Sequence, residues 1–200
     1  MKQVILIHGG DPQKDYESYL EWLKNYPIKL ERHAMRPLDW QDLLAQTLGP
    51  EYQVIRPQMP SKRNAKYIEW KIWFEKFFQF VKDDVILVGS SLGGTFLAKY
   101  LAENDFPRRI KALILVAGAY GGSTQHENLW DFSMPASLSK TAKQAEKIIL
   151  YHSKDDLVVP FEQVDNFKKA WPKAELRIFD DRGHFNQTEL PELIEDIKSL

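Results

Sequence analysis

The chain has 200 residues, 27 Lys and Arg against 28 Asp and Glu, a formal net charge of −1, and no cysteine. That length suits one domain, 1–200, with a single continuous core. The near-neutral balance offers no field that favours nucleic acid or an anionic membrane, and the missing cysteine excludes disulfides, thiolate metal sites and a cysteine nucleophile.

In chain order, Met1-Lys2-Gln3 leads into the apolar run Val4–Ile7 and then His8-Gly9-Gly10-Asp11. The run is too short for a signal-peptide core, and no stretch approaches membrane-spanning length, so a cytoplasmic protein is the expectation. Strands are expected near Val4–His8, Tyr52–Arg56, Val85–Val88, Ala112–Val116, Ile148–Tyr151 and Leu176–Phe179. Helical patterns fall between them, at Trp40–Leu48, Lys66–Val81, Gly94–Glu103, Phe161–Trp171 and Thr188–Leu200. Continuous apolar strands alternating with helices indicate an α/β fold with a mostly parallel sheet, covered by helices on both faces and without a large cap.

The segment Pro12–Pro37 is a long insertion after the first strand, with Tyr16, Tyr19, Trp22 and Tyr26 at helical spacing. The Lys66–Val81 pattern carries aromatic residues on more than one stripe, so one sheet-facing side does not absorb them all. Two readings of the insertion stand: it packs across that helix and completes the core, or it is a mobile lid or a homodimer surface.

Gly89-Ser90-Ser91-Leu92-Gly93 lies between a strand pattern and a helix pattern. In that setting G-x-S-x-G marks a nucleophile elbow, a turn too tight for side chains two positions either side of the central serine. Ser91 is central; Ser90 beside it is expected to satisfy backbone groups. A neutral hydroxyl needs a base within reach, and the base needs an acceptor that fixes its tautomer. His184, after the sixth strand, supplies the base. Asp156, after the fifth, supplies the acceptor, favoured by its spacing to Pro160, with adjacent Asp155 as the alternative. Asp180 and Asp181 read as loop residues. Ligands of open parallel sheets bind beyond the carboxyl ends of the strands, where all three positions fall.

A tetrahedral oxyanion needs preorganised N–H donors. Leu92, opening a helix, is one candidate; Gly10 is the other, with Asp11 as its alternative. His8 is expected to shape this turn, His152 to be a satisfied structural histidine, and His33 and His126 to be exposed. No histidine pair has metal spacing and no dinucleotide fingerprint is present, so neither a metal nor another cofactor is expected.

With these residues assembled, the chain resembles the small serine hydrolases of the YdeN and retinoblastoma-binding type in the α/β-hydrolase superfamily. The likeness rests on the Val4–His8 strand with its His-Gly turn, the 89–93 pentapeptide, Ile114-Leu115-Val116-Ala117-Gly118, Ser153–Phe161 and Gly183-His184-Phe185. It implies Ser91 as nucleophile, His184 as base and Asp156 as orienting acid, in agreement with the residue-level reading. It departs from the family at the long Pro12–Pro37 insertion. Trp130, Phe132 and Met134, in the stretch after the fourth strand, read equally as acyl-pocket or core residues. The function expected is hydrolysis of a small carboxylic ester through an acyl-enzyme, with thioesters or amides as further substrates. The alternative is a binding module on a hydrolase scaffold, since a fold does not establish an activity.

Overall fold

The computed structural model describes residues 1–28, 30, 38–121 and 128–200. Its strands are β1 (Lys2–Ile7), β2 (Tyr52–Ile55), β3 (Val85–Ser90), β4 (Ile110–Val116), β5 (Ala145–Ser153) and β6 (Glu175–Phe179). They form one sheet in the order β2-β1-β3-β4-β5-β6, and every neighbouring pair is parallel. The helices are α1 (Tyr16–Asn25), α2 (Trp40–Leu48), α3 (Tyr67–Glu75), α4 (Leu92–Glu103), α5 (Ser139–Gln144), α6 (Glu162–Ala170) and α7 (Pro191–Ser199).

The unbroken apolar strands follow from burial on both faces. Successive side chains on a strand point to opposite sides. Ile5, Ile7, Leu87, Leu113 and Leu115 therefore join one core with Trp70 and Phe74 of α3, Phe96 of α4 and Phe167 of α6. Val4, Leu6, Ile86, Val88, Ile114 and Val116 join the other, with Trp40 and Leu44 of α2 and Leu193 and Ile197 of α7. Helix α2 begins with a capping box: the Asp39 carboxylate accepts from the Gln41 and Asp42 N–H groups, while Asp42 accepts from the Asp39 N–H.

The Lys66–Val81 helix ends earlier than its pattern implies. Regular α-helix stops at Glu75, and the chain tightens into i→i+3 hydrogen bonds (Phe77 N–H to Phe74 O, Phe80 to Phe77, Val81 to Phe78). Packing accounts for this. The tighter winding brings Phe78 edge-on to Phe74, at 5.2 Å between ring centroids, and to Phe106, at 5.0 Å, while Phe80 stays exposed.

The described part of the insertion does not complete the core. Helix α1 has no buried residue. Its Tyr19 ring stacks on Trp22, Trp22 meets the ring of Tyr26 just past the helix at a tilt, and the Arg63 guanidinium lies over Trp22 and Tyr26. The segment is tied down at its start, where Pro12 bridges to Ala65 and Lys66 Nζ donates to Gln13 O. Residue 29 and residues 31–37, the rest of the expected insertion, lie outside the described residues, as do His33 and His126. Among the described residues no helix is long and apolar enough to cross a membrane.

Candidate active site

Ile7 of β1 lies opposite Gly89 of β3 in the register. The chain leaves β1 for β2 on one side, and β3 lies on the other, so the crevice beyond these two carboxyl ends is the switch point of the sheet. Ser91 sits there with φ 52° and ψ −123°, a backbone conformation that costs a non-glycine residue about 1–3 kcal/mol. The turn holds because Ser91 N–H donates to Val116 O at 2.8 Å and Ser91 O accepts from the Gly94 and Thr95 N–H groups. The flanking glycines are required sterically. A Cβ on Gly89 would lie 2.6 Å from the Gly93 and Gly94 backbone, and one on Gly93 would lie 2.2 Å from Ile7 O.

Asp156 and His184 reach this crevice from β5 and β6. The Asp156 side chain is fully buried; Oδ1 accepts from the Val158 and Val159 N–H groups at 2.8 and 3.0 Å. Oδ2 lies 2.8 Å from His184 Nδ1, and His184 Nε2 lies 3.0 Å from Ser91 Oγ. A carboxylate only accepts, so Nδ1 carries the proton, and Nε2 has its lone pair toward the serine hydroxyl. Asp155, the sequence alternative, faces elsewhere. Its Oδ1 accepts from the Ser153 hydroxyl and the Gly183 N–H, which hold its carboxyl below the usual carboxylate range and pin the loop that carries His184. Asp180 and Asp181 are exposed, and Asp180 pairs with Lys154. Ser90 is buried at the end of β3.

The residue after the histidine, Phe185, is a latch that the sequence reading missed. It is 2 % exposed, packs edge-on to Phe179 and Tyr151, and its carbonyl accepts from the Trp40 indole N–H at 2.9 Å. Its φ of 51° turns the chain so that ring and imidazole point apart. The sequence signal available was an aromatic residue directly following the histidine.

The turn after β1 is equally constrained. Met59 N–H donates to His8 Nε2 at 2.9 Å, so His8 Nδ1 carries the proton and donates to Gly9 O at 2.7 Å. Asp11 N–H is committed to Lys62 O, which removes Asp11 as an oxyanion donor. Gly10 packs against Trp70 and Lys62 and lines the same cleft as Ser91 and Leu92. Leu92 is the first residue of α4, where N–H groups have no helical partner.

Burial pushes His8 below the ordinary imidazole value, and the same cause acts on His152, which donates from Nε2 to Val159 O. With both held below the ordinary value, the unfolded chain binds more protons than the folded chain over the pH range between the folded and unfolded values. Stability is therefore complete above about pH 6.5 and falls as the pH drops below it. A melting temperature that declines between about pH 7.5 and 5.5 is expected; one that stays level there contradicts this account.

The cleft beside Ser91 measures about 140 Å³ and is lined by Leu92, Ala119, Leu129, Val158, Val159 and Pro160, with Gly10, Thr95 and Gln163 among the polar contributors. Trp130, Phe132 and Met134 do not line it. Phe132 is fully buried against Trp70 and Tyr67 and Trp130 is partly exposed, so in this stretch Leu129 takes the cleft position. Among the described residues no group of three His, Cys, Asp or Glu side chains is placed to hold a metal ion.

A parallel sheet with a serine on a left-handed turn after β3, facing loops from β5 and β6, defines an α/β hydrolase. Comparison with known proteins agrees. The family model described as serine hydrolase matches residues 33–194, and the chain belongs to that family. It is similar to the serine hydrolase RBBP9 of Rattus norvegicus, 30% identical over 154 residues that cover 76% of this chain and 79% of the relative. Among solved structures it is similar to the ydeN gene product of B. subtilis, with TM-score 0.73, 22% identity, and 100% and 98% of the two chains covered. A YdeN-like hydrolase from Pectobacterium atrosepticum shares the fold at TM-score 0.57 and 17% identity, over 92% of this chain and 80% of that one. The protein is thus an enzyme of the hydrolase class.

Proposed function

We propose that the chain, acting as one domain, cleaves small carboxylic esters through an acyl-enzyme, with Ser91 as nucleophile, His184 as general base and Asp156 as the acid that orients it. The observation that carries this reading is the unbroken hydrogen-bond series from Ser91 Oγ through His184 to Asp156 at the mouth of an apolar cleft.

Ser91 Oγ attacks the acyl carbon while His184 Nε2 takes its proton. Asp156 keeps the other proton on Nδ1 and balances the imidazolium charge. The oxyanion is held by the Leu92 and Gly10 N–H groups, and one such donor is worth about 10²–10³ in kcat. His184 then gives its proton to the departing alcohol oxygen. Water enters, loses a proton to Nε2 and attacks the acyl carbon; the bond from that carbon to Ser91 Oγ breaks, His184 returns the proton to Oγ, and the acid leaves. Thioesters and amides follow the same course with a different leaving atom.

The test is covalent. A fluorophosphonate probe should form one adduct, located by mass spectrometry on the peptide carrying Ser91, and none on Ser91→Ala. An adduct that persists in the variant, or maps elsewhere, overturns the assignment.

A further inference from the structure

Gln163 brings to the wall of the cleft a side-chain amide with no use in the steps above. Gln163, in the first turn of α6, is 4% exposed and lines the cleft. The Tyr120 and Gly121 N–H groups both approach one atom of its amide, each at 2.9 Å. Backbone N–H groups only donate, so that atom is the oxygen, and the orientation of the amide follows. The NH2 end is then left over. Among the described residues it has no hydrogen-bond partner. The neighbouring polar group Thr95 is already spent: its hydroxyl donates to Ala119 O and accepts from Ala119 N–H.

A ligand that covers this NH2 without supplying an acceptor leaves a desolvated donor unpaired, so a ligand that carries an acceptor there is favoured over one that does not. The position of the cleft says which part of a substrate this is. Gly10, Ser91 and Leu92 line it, but His184 does not. A leaving group has to stay within reach of His184 Nε2 to be protonated, so it departs on the imidazole side. The cleft on the other side of Ser91 receives the acyl group. Its volume of about 140 Å³ is below the range of about 300–1,000 Å³ usual for drug-sized ligands, which suits a short chain.

Resting on the serine hydrolase reading above, we propose that Gln163 Nε2 selects the acyl group: the preferred substrates are esters of short acids that carry a second oxygen acceptor along the acyl chain, such as a keto oxygen. Apolar contacts from Leu129, Val159 and Pro160 hold the methylene portion, and the Gln163 amide donates to the added oxygen. Gln163 is thus a specificity-determining residue that takes no part in proton transfer.

A matched pair of esters tests this. p-Nitrophenyl levulinate and p-nitrophenyl valerate share chain length and leaving group and differ by one keto oxygen. After correction for their rates in buffer alone, wild type should favour the levulinate by about tenfold in kcat/KM, the scale of one hydrogen bond. In Gln163→Glu the carboxylate still accepts from Tyr120 and Gly121, which keeps it ionised, but presents an acceptor where the donor was. The ratio should then fall to one or below. A wild-type ratio near one overturns the proposal, whatever the variant does, and so does an unchanged preference in Gln163→Glu. If neither ester is turned over and Ser91 takes no fluorophosphonate, the hydrolase reading fails along with this one. If Ser91 is labelled and both esters react equally, only the role of Gln163 falls.

Discussion

Asp156→Asn is expected to lower kcat for any ester the enzyme accepts by about 10⁴-fold without unfolding the protein, the size of effect known for the equivalent change in Ser-His-Asp enzymes. The reason lies in how the carboxylate is held. Oδ1 is the acceptor for two backbone N–H groups, Val158 and Val159, so an asparagine keeps its oxygen there. Its NH2 then faces His184 Nδ1, which has to accept. The imidazole proton moves to Nε2, and that nitrogen no longer takes a proton from Ser91 Oγ. The fold should tolerate the change, since shape and the two backbone contacts survive. Steady-state kinetics with a thermal melt decide the matter. A loss below about tenfold in a folded variant contradicts the role given to Asp156.

Gly93→Ala should damage the fold itself. Its new methyl would lie 2.2 Å from Ile7 O and 2.7 Å from His8 O, both backbone atoms at the end of β1, a strand buried on both faces. No side-chain rotation relieves such a contact; either α4 moves away from the sheet or β1 bends. Overpacking a tight interior costs about 1–3 kcal/mol and more where backbone has to shift. At about 2–4 °C per kcal/mol for a chain of this size, the melting temperature should fall by roughly 10 °C. Gly118→Ala is the control, because its nearest neighbours would stand at 3.7 Å, ordinary contact. Equal melting temperatures for the two variants refute the close-approach argument.

These two predictions rest on features of different visibility. The glycines of the elbow were legible in the amino-acid order because the demand they meet is local: a strand enters, a helix leaves, and the turn between has no room for Cβ atoms. The strands were legible for a related reason, since burial on both faces leaves β-branched runs without polar interruption. Asp155 and Asp156 show the limit. They are neighbours of the same type, and one backbone step decides which carboxylate meets His184 and which pins Gly183. The Lys66–Val81 helix shows another. Its pattern carries no stop at Glu75, because the stop comes from Tyr100 and Phe106, distant in sequence, gathering with Phe74 around Phe78. Helix α1 fails as a core element for the opposite reason: its aromatic residues find one another and Arg63 instead of the sheet.

The order of elements, the parallel sheet, the elbow and the choice of serine as candidate nucleophile were properties of the chain alone, because each depends on residues close together along it. Which aspartate faces the imidazole, how Phe185 and Trp40 hold the loop that carries it, and that the Gln163 oxygen meets Tyr120 and Gly121 at the wall of the cleft were decided only by folding. Those are contacts between segments that lie far apart along the chain, and their hydrogen-bond directions exist only once the sheet has set the loops side by side.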